Sequence, residues 1–280
     1  MVSDDSRRAV TDDSREAVAE FRAGQQAVRV YRTSADMGQA AARDVASALR
    51  RRLRSQPHAR LVFAAAPSQD TMLAGLARAP GIDWARVTAL HMDEYVGLAE
   101  AAPQSFGSYL RDRLFDRVHP GRVELISPGS DPAAEAERYA HALAEGPVDI
   151  VCAGIGENGH LAFNDPPVAD FADAKLVKVV ALDSRSRQQQ VNDRCFGQLA
   201  DVPTHAITLT VPALLSAREV FCVVPGASKA AAVRSALCGP VSPACPASAL
   251  RNHPRCILYL DACSAALALA ARQAKEGGPA

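Results

Sequence analysis

The chain has 280 residues, 31 basic and 31 acidic side chains, zero formal net charge and 48% hydrophobic residues. That balance excludes the basic excess of a nucleic-acid or membrane-surface protein, and no run reaches the roughly 18 apolar residues of a membrane span. The length suits one large α/β domain with a well-buried core.

The first residues, Met1-Val2-Ser3-Asp4-Asp5-Ser6-Arg7-Arg8, lack the apolar centre of a signal peptide, so a cytoplasmic protein is expected. Residues 1–26 are charged and alanine-rich and read as a loosely docked extension; residues 27–280 read as a single domain. Val28-Arg29-Val30-Tyr31 is the first strand-like run. A helix is predicted over 37–53, with Asp36 as its cap. Arg50, Arg51, Arg52 and Arg54 lie near its C-terminal end, where cations complement the helix dipole.

Strands are predicted at 61–66, 87–92, 148–153, 176–182, 206–209, 219–224 and 256–260. Helices are predicted at 70–79, 105–118, 132–145, 228–237 and 262–275. This alternation implies a doubly wound, Rossmann-like and mostly parallel sheet with helices on both faces. The seven cysteines are odd in number and lack C-x-x-C spacing, which favours buried thiols over zinc ligands or disulfides.

Ligands of such sheets sit outside the carboxyl ends of the strands. Three predicted strand ends carry polar clusters: Pro67-Ser68-Gln69-Asp70, Asp93-Glu94-Tyr95, and a glycine-rich stretch. The last is Gly154-Ile155-Gly156-Glu157-Asn158-Gly159-His160-Leu161-Ala162-Phe163-Asn164-Asp165-Pro166. Its glycines let the backbone bend and approach a ligand closely, and His160 and Asp165 offer an acid/base pair. Gly154, Gly156 and Gly159 also satisfy the dinucleotide fingerprint. Asn164-Asp165-Pro166-Pro167, however, stops the helix that a dinucleotide site needs.

His91-Met92-Asp93-Glu94-Tyr95-Val96-Gly97-Leu98 and the glycine-rich stretch, about sixty residues apart, resemble the glucosamine-6-phosphate deaminase/isomerase family, which is related to 6-phosphogluconolactonases. Ser105-Phe106-Gly107-Ser108-Tyr109-Leu110, Asp201-Val202-Pro203-Thr204-His205-Ala206-Ile207-Thr208 and Gly226-Ala227-Ser228-Lys229 add support. The resemblance spans residues 28–265 and implies a modified doubly wound fold. It implies a hydrolase-type deamination combined with aldose–ketose isomerisation. Glucosamine 6-phosphate, or a close amino sugar, and water would give fructose 6-phosphate and ammonia. No redox cofactor and no metal are implied, and the partner is a small amino sugar phosphate; a homo-oligomer is compatible.

By the same resemblance, Asp93 moves a proton from C2 to C1 and His160 assists ring opening, with Asp165 or Asn158 as its partner. Histidine suits that step because its ordinary pKa is near 6.5. Ser68, Glu94, Gly156, Gly159, Arg194 and Lys229 are the implied substrate-binding residues. Blander readings stay open: Asp93 as a helix cap, Glu94 as a structural residue, Asp165 in an Asx-turn, and His160 bonded to backbone.

The chain departs from the family pattern in several places. Asn158 and Asp165 stand where many members have Asp and Glu. Ala65-Ala66-Pro67-Ser68 replaces a glycine-rich turn that holds phosphate; Pro67 has no N–H to donate, and Asp70 would repel an anion. Lys229 and Arg194 would partly restore phosphate binding, whereas Gln188, Gln189 and Gln190 suit a dianion poorly. Allosteric serines are replaced around Val168-Ala169, so that control is not expected. The alternatives are a 6-phosphogluconolactonase-like hydrolase and a non-catalytic sugar-phosphate sensor.

Overall fold

The computed structural model describes residues 16–99 and 102–276. Its main sheet has eight strands: β1 (Ala19–Ala23), β2 (Gln26–Tyr31), β3 (Ala59–Phe63), β4 (Val87–His91), β6 (Arg122–Glu124), β7 (Ile150–Ala153), β10 (Glu219–Val224) and β11 (Cys256–Asp261). Their order is β1-β2-β11-β10-β7-β3-β4-β6. Every neighbouring pair is parallel except the β1–β2 hairpin. A second sheet is small and antiparallel, with β5 (Asp93–Tyr95), β9 (His205–Leu209) and β8 (Val177–Ala181) in the order β5-β9-β8.

The helices are α1 (Ser34–Ser55), α2 (Asp70–Ala77), α3 (Phe106–Leu110), α4 (Asp116–Val118), α5 (Pro132–Ala144), α6 (Ser184–Asn192), α7 (Val211–Leu215), α8 (Ala230–Cys238) and α9 (Ala262–Glu276). A π turn, Arg111–Phe115, joins α3 to α4. Alternate strand residues feed two cores, because successive side chains in a strand point to opposite faces. Val30, Val62, Leu90, Val151, Cys222 and Leu258 pack with α5, α8 and α9. Tyr31, Leu61, Phe63, Cys152, Phe221 and Tyr259 pack with α1 and α2. Helices therefore cover both faces of a mostly parallel sheet, as the alternation predicts.

Four local expectations change. Ala19–Ala23 is an edge strand paired with β2 across Gly24, which holds φ +60; residues 1–15 of the expected extension lie outside the described residues. The strand signal was the alternation of Ala19, Phe21 and Ala23 inward with Glu20 and Arg22 outward. Thr33, not Asp36, caps α1: its side chain accepts from Asp36 N at 3.1 Å. Strands β5, β8 and β9 leave the main sheet. Strand β6 and helix α6 are polar, and α7 is apolar but only five residues long, so none has a periodic apolar stripe long enough to mark it in sequence.

The cysteines of the described residues are free thiols, and Cys152, Cys222 and Cys256 are buried. No described helix is long and apolar enough to cross a membrane. Replacing the cap, Thr33→Ala, is expected to cost about 1 kcal/mol of folding stability in urea titrations. Thr33→Ser should restore most of it, and an unchanged Thr33→Ala protein would move the cap elsewhere.

Candidate active site

Strand β3 lies between β7 and β4, so the three polar strand ends meet. They border a solvent-open cleft with about 510 Å³ of space. Asp93, His160, Lys229, Ser68 and Gly156 all line it. Among the described residues, no group of three His, Cys, Asp or Glu side chains is placed to hold a metal ion.

Asp93 sits where the chain steps from the main sheet into the small one. Met92 N donates to Phe63 O of β3, and Met92 O accepts from Leu209 N of β9. The Asp93 side chain is thereby buried at the cleft. Burial raises its pKa well above the ordinary carboxyl value, and neighbouring Glu94 adds to the rise.

Glu94 points the other way, because strand side chains alternate. Its carboxylate accepts from Tyr95 N at 3.0 Å, Phe106 N at 3.1 Å and Gly107 N at 2.9 Å. Those bonds anchor the start of α3. Burial raises the Glu94 pKa to about 6, although the three N–H donors oppose the rise. Glu94 does not line the cleft, which replaces the expected substrate contact with a structural role.

His160 lies against the backbone of Gly156; a Cβ there would overlap the imidazole ring. This close approach is why Gly156 must be glycine. Gly159 does a different job. It holds φ +88, its Cβ would come within 2.8 Å of Cys245 Sγ, and it is not part of the cleft lining. Ala162 holds φ +50, which turns Phe163 into the cleft wall.

Among the described residues, polar groups meet the imidazole at Nδ1 only. Nδ1 lies 2.7 Å from Ser186 Oγ and 3.0 Å from Asp165 Oδ1. Asp165 Oδ1 also accepts from Ser186 Oγ and, at 2.8 Å, from Asn158 Nδ2. Asn158 Oδ1 accepts from His160 N at 3.0 Å. Burial pushes the Asp165 pKa up, but the bonds from His160, Asn158 and Ser186 outweigh it and hold the carboxyl at about 2. An ionised carboxylate only accepts hydrogen bonds, so neutral His160 carries its proton on Nδ1 and leaves Nε2 bare. Of the two expected partners, Asp165 meets the ring, whereas Asn158 holds the His160 backbone N–H and the Asp165 carboxylate. Ser186 is a third that sequence reasoning missed.

Lys229 enters from the turn after β10 and is buried in the cleft. Burial lowers its pKa, opposed by Asp193 and Glu157. Arg194 does not join it. The chain leaves α6 in a left-handed turn at Arg194 (φ +60), and this exposed side chain lines a separate depression with Leu98 and Phe196. The expected second cation is thus absent from the cleft lining. Asp70 is also outside it, because Arg113 Nε at 3.1 Å and the Tyr109 hydroxyl engage its carboxylate. The expected repulsion of an anion is correspondingly weakened. Gln69, Gln189 and Gln190 line the cleft although none was expected as a site residue.

Known proteins share the sequence and the fold of this chain. Residues 32–258 match the family described as glucosamine-6-phosphate isomerases/6-phosphogluconolactonase. The chain belongs to this family.

A glucosamine-6-phosphate deaminase of Listeria monocytogenes serovar 1/2a is 37% identical over 203 residues, covering 72% of this chain and 84% of the relative. One from Exiguobacterium is 39% identical over 196 residues, covering 69% and 75%. A solved monomeric glucosamine-6-phosphate deaminase superposes with TM-score 0.79 at 31% identity, covering 86% of this chain and 99% of that one. A 6-phosphogluconolactonase from Shewanella baltica shares the fold, with TM-score 0.70 at 20% identity, 84% of this chain and 96% of that one.

In this family member the His160 tautomer is directly measurable. Nitrogen-15 NMR near pH 8 should show Nδ1 protonated and Nε2 bare. The opposite tautomer would break the Asp165–Ser186 account. Gly156→Ala should leave the protein folded by circular dichroism yet displace the His160 ring in a crystal structure.

Proposed function

We propose that this chain is an amino sugar phosphate deaminase/isomerase that converts glucosamine 6-phosphate, or a close amino sugar, to fructose 6-phosphate and ammonia. The observation that carries this reading is one cleft holding a buried, basic carboxyl, Asp93, beside an imidazole with a bare Nε2, His160. A cyclic aldose must first open, with a proton leaving the anomeric hydroxyl and reaching the ring oxygen. His160 Nε2 can accept and return that proton, while ionised Asp165 stabilises the imidazolium between the two transfers. Asp93 then takes the C2 proton and returns it at C1. This leaves an O1 alkoxide and a C2 iminium; water adds to the iminium, ammonia departs, and the proton released in that exchange ends on O1. The family description covers the isomerase chemistry; the net uptake of water, a hydrolase's balance, belongs to this proposal.

Lys229 is the basic side chain in the cleft suited to a phosphate, and Ser68 offers a hydroxyl to the same lining. The relatives near 37% identity carry the deaminase name. The lactonase-named neighbour shares the fold at only 20% identity. Hydrolysis of 6-phosphogluconolactone in place of ammonia release would favour the second reading.

Ammonia release from glucosamine 6-phosphate tests the proposal directly. Asp93→Asn is expected to lower kcat by roughly 10²–10⁴-fold, the usual contribution of a general base. Near wild-type turnover in a folded variant would remove Asp93 from the mechanism. The ionised form of Asp93 is the active base, so kcat/KM should fall as pH drops through its raised pKa. The acid limb should then lie above the ordinary aspartate range near 3.9. Lys229→Ala should raise KM for the phosphorylated sugar more than for its unphosphorylated counterpart.

A further inference from the structure

Helix α6 carries a glutamine run, Gln188-Gln189-Gln190, that the acid/base chemistry does not use. The three amides have different surroundings. Gln188 is exposed and bonds Asn192 Oδ1 at 3.2 Å. Gln189 is buried and doubly bonded: Oε1 accepts from Glu157 N at 2.8 Å, and Nε2 donates to Asp193 Oδ2 at 3.2 Å. Gln190 is only 8% exposed and lines the cleft, yet its amide has no hydrogen-bond partner among the described residues. Ser186 and Gln190 lie one helical turn apart. The face of α6 that steadies His160 therefore also delivers Gln190 to the cleft.

The nitrogen and oxygen of this amide stay open to the cleft, where water or a ligand can reach both. The chemistry of the remaining lining narrows what such an amide serves. The charged or titratable side chains are Asp93, His160 and Lys229, and no arginine is present. One lysine matches one anionic group. An amide with both donor and acceptor free matches neighbouring hydroxyls, each of which also donates and accepts. An ionised phosphate accepts only and would use half of that capacity.

We propose that Gln190 is a substrate-binding residue that reads hydroxyls of the bound sugar chain and so sets which amino sugar epimer is accepted. This assignment rests on the deaminase reading and names the specificity of the same cleft. Sites built to hydrogen-bond a hydroxyl reject analogues lacking it far more strongly than apolar pockets reject a size change.

The test compares ammonia release from glucosamine 6-phosphate, its C4 epimer, and its 3-deoxy and 4-deoxy analogues. The proteins are the wild type and Gln190→Met, which keeps volume and helix propensity. In the wild type at least one analogue should lose roughly tenfold or more in kcat/KM, and in Gln190→Met that loss should shrink to within about twofold. Equal losses in both proteins overturn the assignment while leaving the deaminase reading intact. No ammonia from any of the sugars with the wild type overturns the deaminase reading and this assignment with it. A crystal structure of Asp93→Asn with glucosamine 6-phosphate decides the point without altering Gln190. Its amide should lie within hydrogen-bond distance of sugar hydroxyl oxygens. Contact with phosphate oxygens alone, or none, overturns it.

Discussion

The buried carboxylate of Asp165 organises the site. It takes side-chain donors from Asn158, His160 and Ser186 on one oxygen and the backbone N–H of Asp183 on the other. Its own carbonyl accepts from Val168 N and Ala169 N. Three separate pieces of chain are tied to one residue: the glycine-rich loop, the turn after it, and the start of α6. A charge this buried is tolerable only with such a set of partners. The same set keeps it ionised, and the ionised form dictates the His160 tautomer. Local folding and proton chemistry thus share one electrostatic constraint.

The second organising feature is the step between sheets at Met92. It lets two adjacent acids serve unrelated ends. Asp93 faces the cleft without a compensating donor among the described residues, so burial makes it a stronger base. Glu94 faces three backbone N–H groups and becomes a strut for α3. A strand's twofold alternation explains the split. It also explains why one carboxyl faces the cleft while its neighbour is taken up by backbone N–H groups.

The distal part of the cleft departs from what charge-based reasoning expects of an anion site. Lys229 is present and buried, but Arg194 is turned outward and Asp70 is engaged by Arg113 and Tyr109. Amides occupy much of the remaining polar wall. The lining thus combines Lys229 with neutral hydrogen-bonding groups, which supports the proposed orientation of a polyhydroxylated chain.

By itself the sequence determined the layered α/β plan and the polar strand ends that meet at one cleft, Asp93 and His160 among them. Those features are written in local patterns: apolar runs, helical spacing, and glycines beside acid/base residues. The edge strand Ala19–Ala23 was missed: its alternation is present in the sequence, but its short length and charged surroundings make it read as part of an extension. Ser186 and Gln190 left only a one-turn spacing in a polar segment, which resembles a solvated helix unless its neighbours are known. Tertiary structure alone decided that this polar face turns inward, that Arg194 turns outward, and that β5, β8 and β9 form a sheet of their own. The reason is physical: periodicity records which residues share a face, but the partner that face meets is set by contacts distant in sequence.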